Sequence, residues 1–195
     1  MNRADIEELY FITSIGNVPS ILEQGILCHN HVVKIKHDRI DNLDVQLRRV
    51  NKSVGAAKKT LHDFANLYFD PHNPMLCSKR EENDKICVLR ISKDVLNLNG
   101  VIISDRNASR GWARFESVDE GLALLDANEV FAIFWTDPDP YERDRLKGVK
   151  CAEVLVPERV DPRFIIGAYV DNVRALTEFR EKSNLSVSLK TEIFF

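Results

Sequence analysis

The apolar positions of the chain come in short runs separated by polar and turn-forming stretches, the pattern of a sheet with helices laid on it rather than of a helical bundle. Leu9-Tyr10-Phe11-Ile12-Thr13 is aromatic and β-branched and predicts a strand. Asn17 then stands as a helix cap with Pro19 in the first turn, Gly25 closes that helix, and Ile26-Leu27-Cys28 predicts a short strand. Residues 34–59 show no clean alternation and predict an irregular or helical, lid-like segment broken at Gly55. Between Leu61 and Phe69, the positions Leu61, Phe64, Leu67 and Tyr68 suit a helix while Asn66-Leu67-Tyr68-Phe69 suits a strand start, and period alone does not separate them.

Farther on the signals sharpen. Ile86 to Ile91 alternates as a strand, and Val101-Ile102-Ile103-Ser104 follows the Asn99-Gly100 turn signal. Val118 to Leu125 predicts a helix, whereas the run Val130 to Trp135 fits either a buried strand or a buried helix. Cys151 to Val156 and Phe164 to Val170 predict strands, Asp171 caps a helix bearing Val173, Leu176 and Phe179, and Leu185 to Leu189 alternates as a last strand would. With no internal repeat and no linker, the expectation is a mixed α+β fold in a single domain, residues 1–195.

Composition narrows the class. At 195 residues, 44% hydrophobic and 29% charged, the chain is long enough for one full core and is neither collagen-like nor wholly disordered. No run approaches the roughly 18 apolar residues of a membrane span. The charged start, Met1-Asn2-Arg3-Ala4-Asp5, is unlike a secretory signal, so a cytoplasmic protein with no membrane partner is expected. The four cysteines at 28, 77, 87 and 151 form no CxxC pair, and three of them sit among apolar neighbours as small buried residues do. His29 and His31 share a face in an extended segment but lack nearby Cys or carboxylate ligands, and no metal site is expected.

The net charge of -3 argues against bulk attraction to nucleic acid, but the charge is unevenly placed. Lys34 to Lys59 holds eight basic against three acidic residues, and Arg143, Arg145, Lys147 and Lys150 form a second cluster in a Pro- and Gly-punctuated segment. Each cluster alone is a solvated face; two in an acidic chain also suit a groove for nucleic-acid phosphates.

Signatures for nucleotide hydrolysis, hydride transfer and triad hydrolysis are missing: there is no GxGxxG, P-loop, GxSxG or HExxH. One carboxylate stands out. By alternation Cys151, Glu153 and Leu155 share one face of a strand and Ala152, Val154 and Val156 the other, so Glu153 needs either a cation partner or a chemical role.

The stretch from Tyr10 to Leu22, with Gly25-Ile26-Leu27 after it, resembles the opening of the DarT family of bacterial DNA ADP-ribosyltransferase toxins. Leu61 to Leu76 resembles that family's central segment, Cys151 to Val156 its glutamate-bearing strand, and Asp105 to Ser109 a weaker fourth block. The resemblance implies a mono-ADP-ribosyltransferase-like split sheet around an NAD cleft, with NAD as co-substrate and no metal. It implies that Tyr10, Phe11, Ile12, Thr13 and Asn17 line the nicotinamide end, that Tyr68 and Met75 help form the dinucleotide pocket, and that Arg48 or Arg49 meets the phosphates. Glu153 would be catalytic, with Arg49 favoured over Arg48 as the guanidinium that acts with it. Phe11 stands where many members have His, and His72 where Arg is expected.

The chemistry agrees with those residue types. Breaking the nicotinamide–ribose bond passes through an oxocarbenium-like state, which calls for a carboxylate at the ribose and cations at the pyrophosphate. A guanidinium fork suits paired phosphate oxygens. The implied activity is transfer of ADP-ribose to a base in single-stranded DNA. The Phe64 to Phe69 stretch with Phe11 resembles the family's guanine-modifying branch more than its thymine-modifying one, so guanine is expected about two to one. The chemistry permits both, guanine through an exocyclic amine that needs no prior deprotonation and thymine through loss of the N3 proton. Trp135 to Lys150 would be the substrate-recognition loop, and a cognate antitoxin that removes ADP-ribose the expected partner. An RNA- or protein-directed transferase and a non-catalytic nucleic-acid-binding module are the competing readings.

Overall fold

The computed structural model describes residues 1–55 and 59–195; Ala56, Ala57 and Lys58 of the expected basic segment lie outside them. Its centre is an eight-stranded sheet. Across the sheet the strands run Val187–Leu189, Ile165–Val170, Ile86–Ser92, Glu8–Ser14, Phe64–Tyr68, Glu153–Pro157, Ile102–Ser104 and Phe115–Glu116. Every pairing is antiparallel except that of Val187–Leu189 with Ile165–Val170. The expected α+β class is thus seen.

The sheet is parted in its middle. Glu8–Ser14 pairs with Ile86–Ser92 from Glu8↔Ser92 to Ser14↔Ile86. Phe64–Tyr68 likewise pairs with Glu153–Pro157 from end to end. Between these two halves the register holds a single pair, Tyr10↔Tyr68.

Alternation builds a core on each face. Leu9, Leu67, Cys87, Leu89, Ile103, Val154 and Val156 point to one side, where they meet Val118 and Leu122 of helix Val118–Ala123 and Ala175 and Phe179 of helix Val173–Lys182. Ile12, Tyr68, Ile86 and Val88 occupy the opposite side, with Phe64 and Leu155 in a neighbouring cluster. Each buried aliphatic side chain contributes about 1.5–3 kcal/mol. A few missing ladder bonds, at roughly 0.5–1.5 kcal/mol each, are small beside that sum, so the sheet tolerates its gap. The expected division of the glutamate strand is seen: Ala152, Val154 and Val156 join the first core, while Cys151 and Leu155 lie on the Glu153 face.

Several local expectations are corrected. Asn17 precedes helix Val18–Gln24 but makes no side-chain cap bond, because its amide is engaged elsewhere. Gly25 does end that helix, at φ +90°, where a Cβ would lie 2.3 Å from the Val160 carbonyl oxygen. Both signals between Leu61 and Phe69 were local truths: a 3-10 turn, Leu61–Asp63, runs straight into strand Phe64–Tyr68. Asn172 rather than Asp171 caps the late helix by accepting from Ala175 N, and Val173 faces solvent.

The run Val130 to Trp135 is neither buried strand nor buried helix. Helix Ala127–Val130 ends at Val130, and the residues that follow find no strand partner, leaving Ile133 and Phe134 exposed by 68% and 80%. The stretch Trp135 to Lys150, expected as a substrate-recognition loop, contains a helix, Pro140–Val149, whose Asp139 cap accepts from Tyr141 N and whose Pro140 sits in the first turn.

Lys150 explains how these pieces are held. Its side chain is fully buried and its Nζ donates to Asp70 Oδ2 and to the Val130 carbonyl. An ammonium enclosed in this way cannot reach a nucleic-acid phosphate, so the expectation for Lys150 is corrected to a structural anchor. Replacing Lys150 by Met is expected to lower stability by about 3 kcal/mol, since it strands the Asp70 carboxylate in a partly buried site. Urea unfolding measures this, and an unchanged midpoint would refute the anchor.

Candidate active site

The parted strands open onto a pocket of about 560 Å³. Phe11, Ile12 and Thr13 line it from one half of the sheet, and Phe64, Asn66 and Tyr68 from the other. Beyond Tyr10, the edge of Glu8–Ser14 that faces the pocket has no strand partner among the described residues, so its backbone polar groups are available to a bound molecule.

A third wall comes from helix His29–Val32, the segment 33–42 and helix Leu43–Arg49. Asp38 fastens it. Ser14 Oγ donates to Asp38 Oδ2 at 2.9 Å, Asp38 N donates to Asn17 Oδ1 at 2.8 Å, and Asn17 Nδ2 donates to the Asp38 carbonyl at 2.9 Å. Gly16 is required beneath this clasp, because a Cβ there would stand 2.2 Å from Asp38 Oδ2. The polar Ser-Ile-Gly-Asn block that follows the first strand therefore serves to hold the wall.

Asn42 caps helix Leu43–Arg49 by accepting from Asp44 N at 2.9 Å. Helical spacing puts Val45 and Arg49 on the pocket side together with Gln46, while Leu47 and Arg48 face solvent. Arg49 Nη1 donates to both oxygens of Glu153, at 3.1 and 3.0 Å. Ala108 N donates to Glu153 Oε1 at 2.8 Å. Glu153 is wholly buried and lies behind Arg49, which lines the pocket. The other guanidinium nitrogens of Arg49 make no hydrogen bond among the described residues.

Side chains around the pair stay neutral. Burial pushes the Tyr68 hydroxyl well above its ordinary range, with the Glu153 charge adding to it. Burial likewise pushes the Cys151 thiol up to about 12. On the far wall His29 and His62 stack at 3.9 Å, and His62 Nε2 donates to Gln46 Oε1 at 3.0 Å. Burial lowers the pKa of both rings.

Of the residues expected at the dinucleotide, the pocket brings together Phe11, Ile12, Thr13, Asn17, Arg49, Tyr68 and Met75. Met75 is set by Asn73, which is itself buried and accepts from Met75 N and Leu76 N. Tyr10 lies outside the lining, where burial and the Glu8 charge raise its hydroxyl pKa. Arg48 is corrected to an exposed residue on the solvent side of its helix. His72, expected at a position of Arg, stacks on Phe195 at 4.2 Å and takes no part in the lining.

The basic cluster divides as well. Arg145 is bound to Glu129 and Glu142, whereas Arg143 and Lys147 are exposed and without an ion pair among the described residues. Sequence reasoning missed His29, Gln46, His62, Asn66, Asn107 and Cys151 as pocket residues. The weak Asp105–Ser109 block was the one signal that led toward Asn107 and the Ala108 amide. Among the described residues no group of His, Cys, Asp and Glu is placed to hold a metal ion, and no helix is long and apolar enough to cross a membrane.

A family model described as "ssDNA thymidine ADP-ribosyltransferase, DarT" matches residues 10–195. A DNA ADP-ribosyl transferase–DNA ADP-ribosyl glycohydrolase fusion protein of Thermosipho africanus (strain H17ap60334) is 31% identical over 183 residues, 91% of this chain. The chain spans just under half of that relative, 46%. Thermus sp. 2.9 DarT in complex with ADP-ribosylated ssDNA superposes with a TM-score of 0.82 at 27% identity, covering 100% of this chain and 99% of that one. Thermus sp. 2.9 DarT in complex with NAD+ gives 0.77 at 26% identity, covering 97% and 98%. The split-sheet fold is that of these ADP-ribosyltransferases.

The histidine wall has a pH signature. An unfolded histidine titrates near about 6.5, and both rings here are lowered by burial, so below that pH the unfolded chain binds protons that the folded one refuses. Their share of stability is therefore intact above about 6.5 and falls as pH drops toward the folded values. Urea midpoints at neutral and mildly acidic pH should differ less in a His29→Asn, His62→Gln variant than in the wild type. Equal differences would rule out the pair as the source.

Proposed function

Because the chain belongs to the DarT family, we propose that it transfers ADP-ribose from NAD to a base of single-stranded DNA. The observation that carries this reading is Arg49 clasped on the buried carboxylate of Glu153 at the floor of the split-sheet pocket. NAD supplies the ADP-ribosyl group and leaves behind neutral nicotinamide. The unpaired edge at Phe11 to Thr13 offers backbone groups to a carboxamide, which does not depend on a histidine at position 11. Asn17 acts by clasping Asp38, and Tyr68 and Met75 shape the pocket as uncharged walls.

Arg49 and Glu153 act as a unit. The remaining guanidinium donors suit phosphate oxygens, and movement of Arg49 toward that charge uncovers the carboxylate for the reacting ribose. Ala108 N keeps Glu153 oriented while the guanidinium moves. The mechanism calls on no metal ion.

The acceptor is read from less. The Thermus sp. 2.9 relative is described in complex with ADP-ribosylated ssDNA, which favours a single strand over RNA, protein or a binding-only role. On the base, Phe11 and the Phe64 to Phe69 block favour guanine, whereas the matching family model is described as thymidine-directed. Single strands that each lack one base decide between the two. The Thermosipho relative joins a transferase to a DNA ADP-ribosyl glycohydrolase, which supports a toxin whose antitoxin partner removes ADP-ribose in the cytoplasm.

Glu153→Ala is expected to cut transfer by about 10²- to 10⁴-fold while an NAD-induced rise in melting temperature persists. Transfer near the wild-type rate would end the assignment. Mass spectrometry of four single-stranded oligonucleotides, each lacking one base and incubated with protein and NAD in EDTA, identifies the acceptor. Modification of the guanine-free strand would exclude guanine as the sole target, and modification of the thymine-free strand would exclude thymine as the sole target.

A further inference from the structure

Trp112 is 88% exposed on the loop that joins strand Ile102–Ser104 to strand Phe115–Glu116. A single exposed apolar side chain is ordinary. This one differs because its loop is rooted in the active site and held rigid. Asn107 lines the pocket, and Ala108 N is the donor to Glu153. Asp105, itself buried, closes the loop by accepting from Arg114 N at 2.9 Å and from Arg114 Nε at 3.0 Å, while Asp105 N donates to the Arg114 carbonyl at 3.2 Å. Lys52 donates to the Arg110 carbonyl, and Arg110 Nη1 donates to Asp144 Oδ2 at 2.6 Å. A mere surface loop would not need so many ties.

The surroundings are cationic. Arg106 and Arg114 share the single carboxylate of Asp105, leaving one positive charge uncompensated, and the Arg114 side chain is 56% exposed. Arg143 and Lys147 stand on helix Pro140–Val149, to which the Arg110–Asp144 pair ties the loop.

We propose that Trp112 is a stacking platform for an unpaired base flanking the modified one, with Arg114, Arg143 and Lys147 on the neighbouring phosphates. This rests on the single-stranded-DNA reading above. An exposed indole on a tied loop, with cations on that loop and on the helix it is tied to, takes any base by its π face, so the subsite raises affinity without choosing sequence. It also favours single strands, because in a duplex those faces are covered by their neighbours.

The test is steady-state transfer to a mixed-sequence single-stranded oligonucleotide with Trp112→Ala and Trp112→Phe. The Ala variant is expected to raise KM for the oligonucleotide by roughly 5- to 100-fold with kcat kept, and the Phe variant to recover most of it. The NAD-induced shift in melting temperature should match the wild type in both. Unchanged KM in Trp112→Ala, or loss of the NAD shift, would overturn the platform. Absence of transfer by the wild-type protein would instead overturn the activity itself, so the two failures are told apart.

Discussion

A single residue pair, Tyr10 opposite Tyr68, joins the two halves of the sheet, and the site follows from that economy of pairing. Strands that paired along their whole length would close the gap and satisfy each other's backbone groups. Because they part after one pair, a pocket opens between them and an edge of polar backbone is left facing it. The rest of the pocket is compensation for this opening. One wall is clasped to the first strand through Asp38, and its last helix reaches across to the second half through Arg49 and Glu153.

The Arg49–Glu153 pair is better understood as a positioned charge than as a source of stability. Removing two ions from water costs several kcal/mol each, and their mutual attraction seldom returns much more than that. Apolar residues of similar volume would hold the two elements together at least as well. What they could not do is keep a carboxylate dry and oriented, with a cation beside it whose other donors face the pocket. The neutral hydroxyl of Tyr68 and neutral thiol of Cys151 add no charge beside that pair.

Much of the sheet was legible in the sequence because its strands alternate or are apolar throughout, and the two faces of the Glu153 strand could be separated by period alone. The site was only partly so. Arg49 and Arg48 are adjacent on the chain, and only the helix that carries them decides which turns inward. Lys150 shows the opposite error, since a basic residue in a basic run looks solvated until Asp70, far away in sequence, is found beside it. His29 and His62 stack from two separate elements, with no local pattern to announce the contact. Apolar content misled at Phe131 to Phe134, where an unpaired run lies on the surface instead of in the core, and at Val173, which faces solvent.

The two sides of the site are built from different material, and this separates what each is free to vary. The pocket side is made of strands with cores on both faces, where a change of one methylene is felt through packed neighbours. The side proposed for DNA is made of loops and a short helix hung from that frame: Lys150 ties in Val130, Asp105 and Arg114 close the loop bearing Trp112, and Arg110 joins it to Asp144. Loops of this kind accept substitution at their tips without disturbing the frame that anchors them. In the proposed reaction glycosidic cleavage is the same for every acceptor, so the rigid half suits the constant chemistry, while the tethered half would set the acceptor through a few exposed side chains. The Ala108 amide on Glu153 is where the two halves meet. A change of acceptor loop that moved that amide would alter catalysis as well as recognition, and this limits how freely the loop can drift.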